Sequence, residues 1–141
     1  LFKRTSHEVA TRYCFVDYDR DMTIVAEKID NGHPTMIGVA NLFRDADRKA
    51  AEYAILVADD SRQNGLADLL TKYCIDIAKQ WELTQLYAET EIDNQPMVSL
   101  FKKHGFEIHR DTANEIILAN YRFEMNISVP TPADESLDWS I

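Results

Sequence analysis

The chain has 141 residues, 45% hydrophobic and 28% charged. That is enough apolar material for one globular core and too much for a disordered chain. Its formal net charge of -9 argues against nonspecific nucleic-acid binding and suits solubility or a cationic partner. No apolar run approaches the roughly 20 residues of a membrane helix, no signal-peptide core opens the chain, and two cysteines make no disulfide framework, so the expectation is a cytoplasmic protein with no membrane partner.

Residues 6 to 15, SHEVATRYCF, read as a short helix opened by Ser6. MTIVAEKI and TMIGVANLF then read as two strands joined by the hairpin connection DNGHP. After the polar turn RDADRK comes a third strand, AAEYAILVA, which completes an antiparallel meander. From Leu66 to Trp81 the apolar residues fall at helical spacing for about four turns. TQLYAETEI is the next strand, expected parallel to residues 51 to 58 because the long helix joins the two. NQPMVSLFKKHG is a short helix with Asn94 as N-cap, Pro96 in its first turn and Gly105 as its stop. FEIHRD and EIILANYRFEMN close the set as strands. The order predicts an α/β (α+β) domain with a mixed, mostly antiparallel sheet over residues 1–126, followed by an acidic tail over 127–141. That tail reads as loosely packed or as an arm, with Trp139 and Ile141 as the residues through which it could still dock.

The stretch VADDSRQNGLADLL passes from a strand directly into a helix. The first N–H groups of a helix lack internal partners and, with the helix dipole, attract anions. Gly65 removes a Cβ from the approach, Ala67 is small, and Arg62 adds a cation, which suits a pyrophosphate. Taken alone, the loop also matches an ordinary helix start with an incidental glycine. It is neither a Walker loop nor the three-glycine dinucleotide fingerprint.

In context, ILVADDSRQNGLA resembles the signature of the Gcn5-related N-acetyltransferases, (Arg/Gln)-x-x-Gly-x-(Gly/Ala) after a strand ending in Val. DNQPMVSLFKKHGFE resembles the same family's later Asn, short helix and Gly-Phe pair, and the likeness runs over residues 22 to 125. More narrowly, DYDRDMTIVAE and AEYAILVADD are similar to the acetyltransferase domain of bacterial protein lysine acetyltransferases, some of which are fused to acyl-CoA-synthetase-like domains. The resemblance implies the acyl-CoA N-acyltransferase fold and acetyl-CoA as co-substrate. It puts the pyrophosphate on the amides of Arg62, Gln63, Asn64, Gly65, Leu66 and Ala67, and the pantetheine arm on the backbone of Leu56 and Val57. It also implies that Asn94 contacts that arm, that Phe101 lines it, and that Lys103 or Lys102 reaches the 3′-phosphate; a solvated helix face accounts for the two lysines equally well.

Transfer to an amine requires loss of an ammonium proton whose pKa is about 10.4 in free lysine. Glu52 sits inside an apolar strand, where burial would raise its pKa and improve it as a base, and the resemblance implies a catalytic glutamate in this strand position. Period-two alternation puts Glu52, Ala54 and Leu56 on one face and Tyr53, Ile55 and Val57 on the other, and an exposed edge position is the plain structural alternative. Glu89 and Glu91 are the reserve candidates. Where many family members carry a Tyr as general acid, this chain has Phe101; water, Tyr87 and Tyr121 remain as proton donors. Cys74 falls in the helical apolar stripe, which favours direct attack over a cysteine intermediate.

Asp17, Asp19 and Asp21 have calcium-loop spacing, but Met22 and Lys28 stand where the loop needs Gly and Glu, and the four histidines form no ligand pattern, so no metal is expected. The expected acceptor is a primary amine, either a protein lysine or a small molecule. A different class of function is a non-catalytic acyl-CoA-binding regulatory domain within a larger protein. The chain starts without Met, and the family's first strand is not evident before residue 6, which suits a fragment with further domains; homo-oligomerisation is equally open.

Overall fold

The computed structural model describes the backbone of residues 9–17, 21–59 and 65–124, and the side chains of the last two stretches. In chain order the elements are β1 (Val9–Asp17), β2 (Asp21–Asp30), β3 (His33–Arg44), β4 (Ala50–Val57), α1 (Leu66–Gln80), β5 (Gln85–Glu91), α2 (Gln95–Lys103), β6 (Glu107–Asp111) and β7 (Ile116–Arg122). One seven-stranded sheet takes the order β1-β2-β3-β4-β5-β7-β6. Its described pairs are antiparallel except β4 with β5, the pair that α1 connects. This is the expected mixed, mostly antiparallel α+β architecture.

The sequence departs from the structure at its beginning. The helix expected over 6 to 15 is replaced by β1, paired antiparallel with β2 from Val9↔Lys28 to Asp17↔Asp21. Val9, Thr11, Tyr13 and Phe15 recur every second residue, and an adjacent strand is available to pair with them. Strand propensity of this kind is realised only through such a neighbour.

The β2–β3 hairpin turns on Asn31 and Gly32, both with positive φ (48° and 78°), the backbone that a two-residue hairpin needs. Helix α1 crosses β3 so closely that a Cβ on Gly38 would sit 3.0 Å from Leu66 Cδ2 and 3.2 Å from Leu70 Cδ1. That contact fixes where α1 begins relative to the sheet. Glu82 closes α1 in the left-handed conformation (φ 58°), with Leu83 N–H donating to the Ala78 carbonyl and Glu82 N–H to Lys79. Gly105 closes α2 in the same way.

Both helices cover one face of the sheet. Ile24, Ala40, Leu42, Tyr53, Leu86 and Ala119 are buried there against Leu70, Cys74 and Phe101. Tyr53 reaches through this core to a hydrogen bond with Thr71, whose hydroxyl donates to the Ala67 carbonyl at 2.7 Å. Burial holds the Tyr53 phenol well above its ordinary value. The opposite face carries Thr23, Asn41, Phe43, Glu52 and Leu56, each exposed or half-buried.

Candidate functional site: a fork between two parallel strands

Strand β4 pairs with β5 over three rungs, Ala50↔Gln85, Ala51↔Leu86 and Glu52↔Tyr87. Beyond them the strands part. β4 continues through Val57 paired with β3, while β5 continues through Glu91 paired with β7. The sheet therefore forks between β4 and β5. A strand edge left without a neighbour carries peptide donors and acceptors that an extended amide-bearing chain can pair with. Leu56 and Val57 lie on the β4 arm of the fork. Leu56 is 67% exposed and Val57 points into the core, following the expected alternation.

Past the β4 arm, α1 starts at Leu66. Gly65 precedes it with φ 72° and ψ 11°, no side chain caps the helix, and a Cβ on Gly65 would meet nothing within 4 Å. Left-handed backbone favours glycine here, and among the described residues nothing stands where a Gly65 Cβ would point. Leu66 is buried and Ala67 half-buried, so these two offer their amides while their side chains face the protein. Arg62, Gln63 and Asn64 lie outside the described residues. An anion carrying an extended amide arm fits what is described: a helix start with no side-chain cap and a β4 edge with no β5 partner beyond Glu52 among the described residues.

Asn94, expected beside the pantetheine arm, is the N-cap of α2. Its Oδ1 accepts from Met97 N–H at 3.2 Å, and its Nδ2 donates to Thr90 Oγ1 at 3.0 Å, at the end of the β5 arm. Phe101 is fully buried, 6.4 Å edge-on from Tyr53 and 5.4 Å from Phe106, so it belongs to the core rather than to an open wall. Lys103 Nζ lies 3.0 Å from Asp68 Oδ1 in the first turn of α1, which brings its charge to the helix start. His104 Nε2 meets the same oxygen at 2.7 Å. Lys103, then His104, hold the Asp68 carboxyl below the usual carboxylate range.

Glu52 stands on the last closed rung of the fork. It is exposed, which corrects the expectation that it is buried: its face of the sheet carries no described helix. Glu89 and Glu91 are exposed along the β5 arm. Tyr87, beside Glu52, donates its hydroxyl hydrogen to Asp45 Oδ1 at 2.8 Å. That bond, then partial burial and the charges of Asp45 and Glu52, push its phenol up to about 12. Cys74 is buried and reduced, its thiol pushed up to about 12 by burial, so it presents no nucleophile to the fork. The Asp45–Tyr87 and Asp68–Lys103–His104 groupings escaped the sequence reading, because their members come together only when distant segments pack.

A profile of the Acetyltransferase (GNAT) family matches residues 2–106. The chain is 27% identical over 109 residues to an acetyltransferase of Pseudomonas aeruginosa, spanning 77% of this chain and 59% of that one. It is 32% identical over 81 residues to mycothiol acetyltransferase of Corynebacterium jeikeium, spanning 56% of this chain and 24% of that one. It thus spans less than two thirds of either relative. Its fold is similar to the GNAT domain of S. lividans PAT, with TM-score 0.66 and 20% identity over 77% of this chain and 64% of that one. It is also similar to spermidine N-acetyltransferase from Vibrio cholerae in complex with CoA and spermine, with TM-score 0.64 and 18% identity over 76% and 68%. With the family profile spanning most of its length, the chain belongs to the GNAT acetyltransferase family.

Proposed function

We propose that this chain moves an acetyl group from acetyl-CoA to a primary amine by direct attack within a ternary complex. The observation that carries the proposal is the fork: β4 and β5 part directly beyond Glu52, and the β4 arm leads to the start of α1, which no side chain caps. Family membership supports acetyl-CoA as the donor.

In this reading the amides at Gly65, Leu66 and Ala67, with Arg62, Gln63 and Asn64, hold the pyrophosphate. Lys103 adds a cation, the β4 edge at Leu56 and Val57 pairs with the pantetheine arm, and Asn94 adds a contact from the other side. Glu52 takes a proton from the ammonium, directly or through water. The freed nitrogen lone pair attacks the thioester carbonyl carbon, N–C forms, the nitrogen gives its second proton to water, and C–S breaks. The β4 amides near Leu56 and Val57 stabilise the charge that develops on the carbonyl oxygen. A thiol pKa near 8.5 lets the thiolate leave and take its proton from water, without an acid at the Phe101 position.

The spermidine acetyltransferase of similar fold supports a cationic small amine as acceptor, and the likeness of DYDRDMTIVAE and AEYAILVADD to bacterial protein lysine acetyltransferases supports a protein lysine. The buried free thiol of Cys74 supports a reducing, cytoplasmic setting. The test has two parts. Calorimetry should detect acetyl-CoA binding, and CoA release should be followed with spermidine and with intact proteins. Glu52→Gln should keep acetyl-CoA affinity and lose about 100-fold or more in turnover. A regulatory domain would bind acetyl-CoA and release no CoA with any acceptor, and a chain that binds no acetyl-CoA would end both readings.

A further inference from the structure

Tyr87 and Glu52 are paired on the rung where the fork closes. The neighbours of Tyr87 in β5, Leu86 and Ala88, are buried on the helix face, so alternation turns Tyr87 to the face that carries Glu52. Asp45 lies just past β3 and is fixed by its own backbone, its N–H donating to the Ala50 carbonyl at 2.8 Å. From there its carboxylate receives the Tyr87 hydroxyl hydrogen at 2.8 Å. A phenol has one hydrogen to donate, and this one points at Asp45. What the Tyr87 oxygen has left to offer is lone pairs. An ionised Glu52 likewise only accepts. The closed end of the fork is therefore a place for a group rich in N–H donors.

We propose that Tyr87 is an acceptor-binding residue and Asp45 its positioning residue: Asp45 turns the phenol so that its oxygen, on the face of the sheet that carries Glu52, accepts a hydrogen bond from the incoming ammonium. This rests on the acetyl-transfer reading and deepens it, because it assigns the amine side of the site. It also removes Tyr87 from the candidates for general acid, since its one hydrogen is already given to Asp45. An ammonium suits the place for two reasons. It carries three hydrogens, enough for Glu52 and Tyr87 together, and its charge is complementary to the Asp45 and Glu52 carboxylates. The positioning is specific because both ends of the Asp45–Tyr87 bond are anchored in strand backbone, one in the β3–β4 turn and one on the last β4–β5 rung.

The test is steady-state kinetics of the whole chain with acetyl-CoA and, as acceptors, spermidine or a lysine peptide with a blocked N-terminus. Tyr87→Phe and Asp45→Asn should each raise acceptor KM about ten-fold, as for loss of a hydrogen bond to a charged group, with acetyl-CoA KM and kcat within about two-fold. The double variant should be no worse than Tyr87→Phe, because Asp45 acts through the phenol. Ultraviolet titration of tyrosinate, with Tyr87→Phe to assign the signal, should show a lower midpoint for Tyr87 in Asp45→Asn. If Tyr87→Phe fails to fold, the Asp45→Asn titration and acceptor KM carry the test. An active wild type whose acceptor KM is unmoved by both variants, or whose two KM values rise together, overturns the inference alone. A wild type that neither binds acetyl-CoA nor releases CoA overturns the acetyl-transfer reading and this inference with it.

Discussion

Asp68, in the first turn of α1, holds Lys103, the last residue of α2, at 3.0 Å. The helix start that should accept an anion thus has a carboxylate beside it, and that carboxylate is neutralised from the neighbouring helix. Removing the cation leaves the carboxylate to repel a phosphate, and removing the carboxylate leaves the cation free to attract one. Lys103→Ala should weaken acetyl-CoA binding about three- to ten-fold at low salt, whereas Asp68→Asn should tighten it about two- to three-fold. Calorimetric titrations at two ionic strengths check both, and the effects should shrink with added salt.

The same pair predicts a pH dependence of stability. Lys103, then His104, lower the Asp68 pKa. A group whose folded pKa is depressed stabilises above its unfolded value, here about 3.9, and loses that contribution as pH falls through the folded value. The stability gap between wild type and Asp68→Asn should be present at about pH 5 and close as pH falls below about 4. Both Asp68 and Lys103 side chains are more than a third exposed, so solvent screening keeps the gap under about 1 kcal/mol. Urea unfolding across this range measures it.

Two glycines should fail differently. Gly38→Ala places a Cβ against buried Leu66 and Leu70 and should cost about 1 to 3 kcal/mol in stability. Gly65→Ala meets no atom of the described residues within 4 Å but must hold φ at 72°, costing about 1 to 2 kcal/mol. Gly65→Ala should lower acetyl-CoA affinity by more than its stability loss accounts for, which thermal melts with and without acetyl-CoA resolve.

Asn94 has a capping duty that must be separated from any contact with acetyl-CoA. Asn94→Ala should destabilise by about 1 kcal/mol, because Met97 N–H loses its acceptor. Asn94→Ser keeps an N-cap oxygen and should recover most of that stability. In the proposed function both variants lose acetyl-CoA affinity, and recovery of affinity by Ser would restrict Asn94 to the cap.

By itself the sequence determined the elements whose causes are local. The period change at Leu66 marked α1, Asn-Gly marked the β2–β3 turn, and Asn94, Pro96 and Gly105 marked both ends of α2. It also carried the loop at Gly65 and the alternation in β4, from which the candidate site was drawn. Tertiary structure decided what depends on partners far along the chain. Residues 9–17 became a strand because β2 lies beside them. Glu52 was exposed because its face of the sheet carries no described helix, and Phe101 was buried because Tyr53 and Phe106 close over it. Asp45 met Tyr87, and Asp68 met Lys103 and His104, across separations of 35 to 42 residues. Local backbone preference has no access to such pairs; they exist only once the sheet order and the helix crossing are set.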